Sequence, residues 1–184
     1  IKKIGCKYII VGHSERRQQY KETDKVVKKK VDLILFENLK PIICIGESEI
    51  ERKKKNYLKI LQKQLDICVP KNLNEIIIAY EPIWSIGTGL TPTTQEIIEV
   101  KEFVHNFLKD IKNISQVIFL YGGSVNAQNA KDILIEAKVD GSLIGGSSIK
   151  IEEMNKILTL GWFFVILNYG YFMFAVVLSV HILI

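Results

Sequence analysis

Short apolar runs alternate along this chain with stretches in which apolar side chains recur every three or four residues. Tyr8–Val11 reads as a strand, and Val27, Val31, Ile34, Leu35 and Leu39 follow at helical spacing. Residues 41–45 form a second run, followed by a helix through Leu58, Leu61 and Leu65, and residues 76–80 form a third. Beyond a Gly-rich loop comes a helix opened by Thr93 with Glu96 three positions on, the spacing of a capping box. Its apolar face is Ile97, Val100, Phe103, Val104 and Phe107. Residues 117–121 give a fourth strand, Asn126 caps a further helix, 142–144 give a short fifth strand, and a last short helix covers about 151–158. Strand runs that are apolar throughout, each followed by a helix, predict an α/β fold with a parallel sheet covered on both faces.

The polar and glycine residues gather just after these runs: Gly12-His13-Ser14-Glu15, Gly46-Glu47, Glu81, Gly122-Gly123-Ser124 and Gly145-Gly146. No GxGxxG follows the first strand, which argues against a dinucleotide fold. Periodicity leaves open whether the sheet closes on itself; in a (β/α)8 barrel those positions share one rim, where the active site sits. Glu81 ends an apolar strand, and a carboxylate among apolar walls gains proton affinity and serves as a general base. By itself it reads better as a strand-end glutamate that caps a helix or pairs with a lysine. His13 also follows a strand directly, with Glu15 and Arg16-Arg17 beside it to supply a polar network that fixes its tautomer.

Gly87, Ser124 and the pair Gly145-Gly146 offer backbone N–H groups and one hydroxyl on three strand-following loops, a set that binds a phosphate dianion without a lysine. Any one of these glycines is explained by its turn; three loops on one rim are better explained by phosphate. The loop 82–89, bounded by Pro82 and Gly89 and carrying Trp84, fits a lid that hinges at its ends and excludes water.

Composition adds boundaries. The 184 residues are 48% hydrophobic and 24% charged, the balance of a globular domain and not of a disordered chain. The net charge of +5 favours anionic partners in general, yet its lysine runs, 28–30 and 52–55, lie on amphipathic helices with no interleaved aromatics. They read as solvated helix faces, so no nucleic-acid partner is expected. Cys6, Cys44 and Cys68 form neither a CxxC nor a metal-ligand spacing, and a reduced compartment is the default.

Gly12-His13-Ser14-Glu15-Arg16-Arg17, the run 79–89 (Ala-Tyr-Glu-Pro-Ile-Trp-Ser-Ile-Gly-Thr-Gly), Tyr121-Gly122-Gly123-Ser124-Val125, and Asp140-Gly141 with Leu143-Ile144-Gly145-Gly146 together resemble the signature segments of triosephosphate isomerase. They occur in family order and spacing over about residues 1–158, the fourth to eighth strand–helix units of a (β/α)8 TIM barrel that is incomplete here, about five of eight units. The resemblance implies an isomerase that interconverts dihydroxyacetone phosphate and D-glyceraldehyde 3-phosphate through an enediolate, in glycolysis and gluconeogenesis, in the cytoplasm. It implies Glu81 as the base and neutral His13 as the electrophile, a pairing taken over from the family's established description. Gly87, Ser124, Gly145 and Gly146 would hold the phosphate, with Glu15 beside the site interacting with a lysine. No metal and no organic cofactor are implied. Another phosphate-binding barrel, such as an indole- or histidine-pathway isomerase, would explain the glycine loops but not His13, Glu81 and the Trp-bearing lid together.

Two departures accompany the resemblance. Nothing here matches the family's first-strand Asn-x-Lys, and the first three strand–helix units, with the loop that builds the family's homodimer, have no counterpart. The expectation is a chain that by itself folds poorly and turns over little or nothing. The second departure is the tail, 159–184, which carries no charged residue and includes Trp162, Phe163, Phe164, Tyr169, Tyr171, Phe172 and Phe174. It is long enough to span a bilayer and would then make an inactive membrane-anchored or degenerate remnant, in an organelle or membrane-associated, with the barrel part on the cytosolic side. The other reading is translated non-coding sequence.

Overall fold

The computed structural model describes residues 2–168 and 173–176. Its strands are β1 (Tyr8–Val11), β2 (Lys40–Ile45), β3 (Glu75–Tyr80), β4 (Gln116–Tyr121), β5 (Gly141–Ile144) and β6 (Met173–Val176), and they form one parallel sheet in sequence order. The helices are α1 (Ser14–Gln19), α2 (Asp24–Phe36), α3 (Glu49–Lys53), α4 (Tyr57–Cys68), α5 (Thr94–Lys112) and α6 (Ile151–Asn168), with a π-helical turn at Asp132–Glu136. Five units of strand and helical turn on one parallel sheet are therefore present, the parallel α/β fold that the periodicity indicates.

Alternation along the strands builds two cores. Ile43, Ile45, Ile76, Ile78, Tyr80, Phe119 and Tyr121 face the helices and join Val27, Val31, Leu61, Leu65, Val100, Val104 and Leu108 in the larger one. Ile42, Cys44, Ile77, Ala79, Leu120 and Leu143 face the other way and pack among themselves. That second set is the inner surface of the curving sheet. Both faces being apolar, the strands read as continuous hydrophobic runs, and the inner face can be told from the outer only in the structure.

Local signals set the helix limits. Thr23 and Thr93 cap α2 and α5 with their side chains, and Thr93 with Glu96 closes the expected capping box. At the far end of α5, Asn113 adopts a left-handed φ of 54° and its N–H returns to the Leu108 carbonyl. Asn tolerates that conformation better than most residues.

The structure departs from the sequence expectation in four places. Leu39 lies beyond α2, which stops at Phe36; its apolar side chain continues the helical period only by coincidence with the turn into β2. Two helices, not one, follow each of β1 and β2, because Ser48 caps the short α3 with a box of its own and Lys55 then turns left-handed at φ 55°. The last helix does not end near residue 158 but runs to Asn168, since the apolar residues after Leu158 are no obstacle to a helix. A sixth strand, β6, lies within the tail and pairs Gly141 with Met173 through Ile144 with Val176. Among the described residues no helix is long and apolar enough to cross a membrane. Residues 169–172 and 177–184, on which the expected span also relied, lie outside the described residues.

Leu61 on α4 is completely buried in the larger core. Leu61→Ala should lower the unfolding free energy by about 2–5 kcal/mol, through lost transfer energy and the cavity left behind. Urea denaturation of the full chain checks this; a change below about 1 kcal/mol would place Leu61 outside the core.

Candidate active site

Because every strand runs the same way, all C-terminal strand ends lie at one end of the sheet. Val11 pairs with Ile43, and Ile45 pairs with Tyr80, which pairs in turn with Tyr121. His13, Glu47, Glu81 and Ser124 therefore leave the sheet at the same end. The close approach of two strand ends here requires glycine. A Cβ on Gly46 would stand 1.8 Å from the Glu81 carbonyl oxygen, and one on Gly122 would stand 2.8 Å from Glu81 Cγ. Any other residue at either place would displace Glu81.

Glu81 is 2% exposed. Its Oε2 accepts a hydrogen bond from the Ser14 backbone N–H at 2.8 Å. Its Oε1 lies 3.2 Å from His13 Nε2, in a geometry short of a hydrogen bond, and is otherwise buried without a partner. Burial pushes the carboxyl above the ordinary carboxylate range, against the smaller opposing influences of His13, the Ser14 N–H and the Cys44 thiol. His13 Nδ1 accepts from the Glu15 backbone N–H at 3.4 Å. A backbone N–H only donates, so Nδ1 is bare, and in the neutral ring the proton is on Nε2, the nitrogen nearer to Glu81. The site thus holds a base with one free buried oxygen next to an imidazole N–H donor.

The loop after Glu81 is fixed at both ends. Glu47, fully buried, accepts from Tyr80 Oη and from Trp84 Nε1, both at 3.0 Å, while its carbonyl accepts from Ile83 N–H at 3.0 Å. Arg52 Nη2 pairs with Glu96 Oε1 at 2.7 Å, next to the Thr93 cap where the loop ends. Within the loop, Ser85 Oγ donates to the Leu90 carbonyl at 2.7 Å, and Thr88 Oγ1 donates to the Trp84 carbonyl at 2.9 Å. Gly87 and Gly89 turn through left-handed φ values of 71° and 76°. The Gly87 N–H then donates to Ser124 Oγ at 3.3 Å, and that hydroxyl donates to the Ser85 carbonyl at 2.5 Å.

Two of the phosphate-loop residues expected from sequence, Gly87 and Ser124, are therefore in direct contact. The third loop is tied in one step further away, by Ser147 Oγ donating to the Val125 carbonyl at 2.7 Å. Gly145 and Gly146 are exposed, and a Cβ at Gly87, Gly145 or Gly146 would meet nothing within 4 Å, so space adjoins all three. Glu15 meets His13 through its backbone. Its carboxylate is exposed and pairs with no lysine among the described residues. Arg16 turns away to Glu22, 2.6 Å from Nε.

Two contributors escaped the sequence reading as site residues. Ser14 acts through its backbone, which residue type does not reveal. Glu47 carried a readable signal: it stands just past β2 as Glu81 stands just past β3, and follows a glycine. Among the described residues no cluster of His, Cys, Asp and Glu could hold a metal. Two clefts of about 390 and 380 Å³ lie elsewhere, one around Lys40 and Glu75 at the opposite strand ends, the other around Glu22 and Gln64. Neither includes His13 or Glu81.

Comparison with known proteins agrees with this geometry. A family model for triosephosphate isomerase matches residues 1–161. The triosephosphate isomerase of Buchnera aphidicola subsp. Cinara cedri is 42% identical over 166 residues, covering 87% of this chain and 65% of that protein. The enzyme of Alkaliphilus oremlandii is 42% identical over 160 residues, covering 83% and 64%. A crystal structure of triosephosphate isomerase from Bartonella henselae superposes with a TM-score of 0.77 at 36% identity, covering 88% of this chain and 67% of that one. The chain therefore spans about two thirds of the length of these relatives, and it belongs to the triosephosphate isomerase family.

Proposed function

We propose that this chain carries the proton-transfer machinery of a triosephosphate isomerase acting on dihydroxyacetone phosphate and D-glyceraldehyde 3-phosphate. The observation that supports it best is the buried Glu81 carboxylate, with its free Oε1 3.2 Å from Nε2 of His13, whose Nδ1 accepts from the Glu15 N–H. In this reading Glu81 removes a proton from the carbon next to the substrate carbonyl. The Nε2–H of His13 donates to the carbonyl oxygen as charge develops on it, giving an enediolate. Glu81 then returns the proton to the neighbouring carbon, the hydroxyl proton passes to the former carbonyl oxygen, and the isomer leaves with no net redox change. Backbone N–H groups of Gly87, Gly145 and Gly146, with the Ser124 hydroxyl, hold the phosphate. The loop 82–92 excludes water from the enediolate. The reading needs no cofactor.

The complete enzyme is proposed to be a cytoplasmic, glycolytic homodimer. The chain itself supplies neither the family's Asn-x-Lys strand nor its dimer loop, and its turnover without them is expected to be at or near background. Supplying in one polypeptide the N-terminal third of the Buchnera relative that this chain does not match should restore isomerisation of dihydroxyacetone phosphate. In that chimaera, Glu81→Gln should lower kcat by about 10³-fold, and His13→Gln by about 10²-fold or more. A chimaera that keeps its rate with Glu81→Gln contradicts the assignment of the base.

The raised affinity of Glu81 for its proton also has a thermodynamic consequence. The folded state binds this proton more tightly than the unfolded state, whose value is near 4.5. The stability that Glu81 contributes is thus fully present below that pH and is lost as pH rises through the higher folded value. Glu81→Gln keeps an acceptor for the Ser14 N–H and removes the titration. The unfolding free energy of Glu81→Gln relative to the natural chain should therefore grow between pH 4.5 and pH 7, measured by urea denaturation. A gap that shrinks over this range would mean the carboxyl is not raised.

A further inference from the structure

His13 owes its position to the two peptide groups that flank it, and Arg17 meets both, the first with its side chain and the second with the first backbone bond of α1. The Gly12 carbonyl accepts from Arg17 Nε at 2.7 Å, and the His13 carbonyl accepts from the Arg17 backbone N–H at 3.1 Å. The second of these peptides ends in the Ser14 N–H that binds Glu81. The guanidinium reaches further: Nη2 donates to the Cys44 carbonyl at 3.3 Å, and Nη1 meets Asp24 Oδ1 at 2.6 Å. One planar group thus joins the turn after β1 to β2 and to the start of α2. Gly12 makes room for it. The chain turns there at φ 70°, and a Cβ would lie 3.0 Å from Arg17 Nη2 and 3.2 Å from the Cys44 carbonyl. Only a fork of fixed N–H directions serves Gly12, Cys44 and Asp24 at once; an ammonium on a flexible stem does not.

We propose that Arg17 is a positioning residue for the isomerase chemistry, its guanidinium holding the peptide before His13 so that the ring keeps the Nε2–H tautomer beside Glu81. The inference rests on the proposed role of His13. It competes with a simpler one, in which Arg17 and Asp24 form a buried corner of the fold with no bearing on the imidazole.

The two are separated by the ring ¹⁵N chemical shifts of His13 in the full chain, assigned by comparison with His13→Gln. In the natural chain, the bare Nδ1 and protonated Nε2 should resonate far apart. Arg17→Met and Arg17→Lys should bring the two signals together as a second tautomer or rotamer is populated. Asp24→Asn, which removes the ion pair but leaves the Gly12 bond, should leave them apart. If Arg17→Met does not fold, Arg17→Lys decides. Unchanged shifts in Arg17→Lys, or an equal collapse in Asp24→Asn, would overturn the proposal. In the chimaera, Arg17→Lys should lower kcat by about 10²-fold with KM little changed, the mark of a misplaced group and not of lost binding. The shifts need no turnover. A chimaera with no isomerase activity but a responsive His13 sinks the function and leaves Arg17 its role, whereas a chimaera that turns over with an unresponsive His13 does the reverse.

Discussion

A carboxylate buried at the end of an apolar strand is the constraint around which the rest of this site is arranged. Glu81 gives up nearly all contact with water, and one oxygen receives a single strong compensation, the Ser14 backbone N–H. The other oxygen is left for chemistry, since it has no hydrogen-bond partner and lies 3.2 Å from His13 Nε2. That arrangement needs two strand ends closer together than side chains permit, which is why Gly46 and Gly122 flank it. It also needs the loop after β1 to turn sharply, so that one short segment delivers His13 to Oε1 and the Ser14 N–H to Oε2.

The lid and the phosphate loops depend on the same frame. Glu47 leaves β2 one residue after Gly46 and takes hold of Tyr80 and Trp84, the residues just before and just after the Glu81-Pro82 step. The base and the start of the lid are thus anchored to one buried carboxylate. At the tip, Gly87 and Ser124 already touch through the serine hydroxyl, which joins the lid to the loop after β4. In the proposed reading a phosphate takes over the Gly87 N–H and the Ser124 hydroxyl from their present acceptors, Ser124 Oγ and the Ser85 carbonyl, and its binding energy can be spent on closing the site over the reacting carbons.

Most of the fold was legible because the strands are buried on both faces and read as unbroken apolar runs, while α2, α4 and α5 keep a clear helical stripe. The site positions His13, Glu81, Gly87 and Ser124 were legible because each directly follows a strand or a glycine-bounded loop. What resisted reading had physical reasons. Ser14 contributes a main-chain N–H, invisible in residue type. Leu39 continued a helical period past the point where the chain had turned. The tail beyond Leu158 is apolar without periodicity, and such a sequence suits a longer helix, a paired strand or a membrane span equally; α6 and β6 show the first two in its described part. Arg16 and Arg17 look alike beside His13, yet one faces Glu22 and the other reaches under the Gly12 turn.

The central claim is that Glu81 is a base primed by burial, and its titration in the intact chain tests this most directly. With the glutamate side-chain carboxyl carbons ¹³C-labelled and Glu81 identified through Glu81→Gln, the carboxyl resonance should titrate with a midpoint above the ordinary value of 4.5. A midpoint at or below 4.5 would mean that the Ser14 N–H and His13 outweigh burial, and the account of the site as a poised base would be wrong.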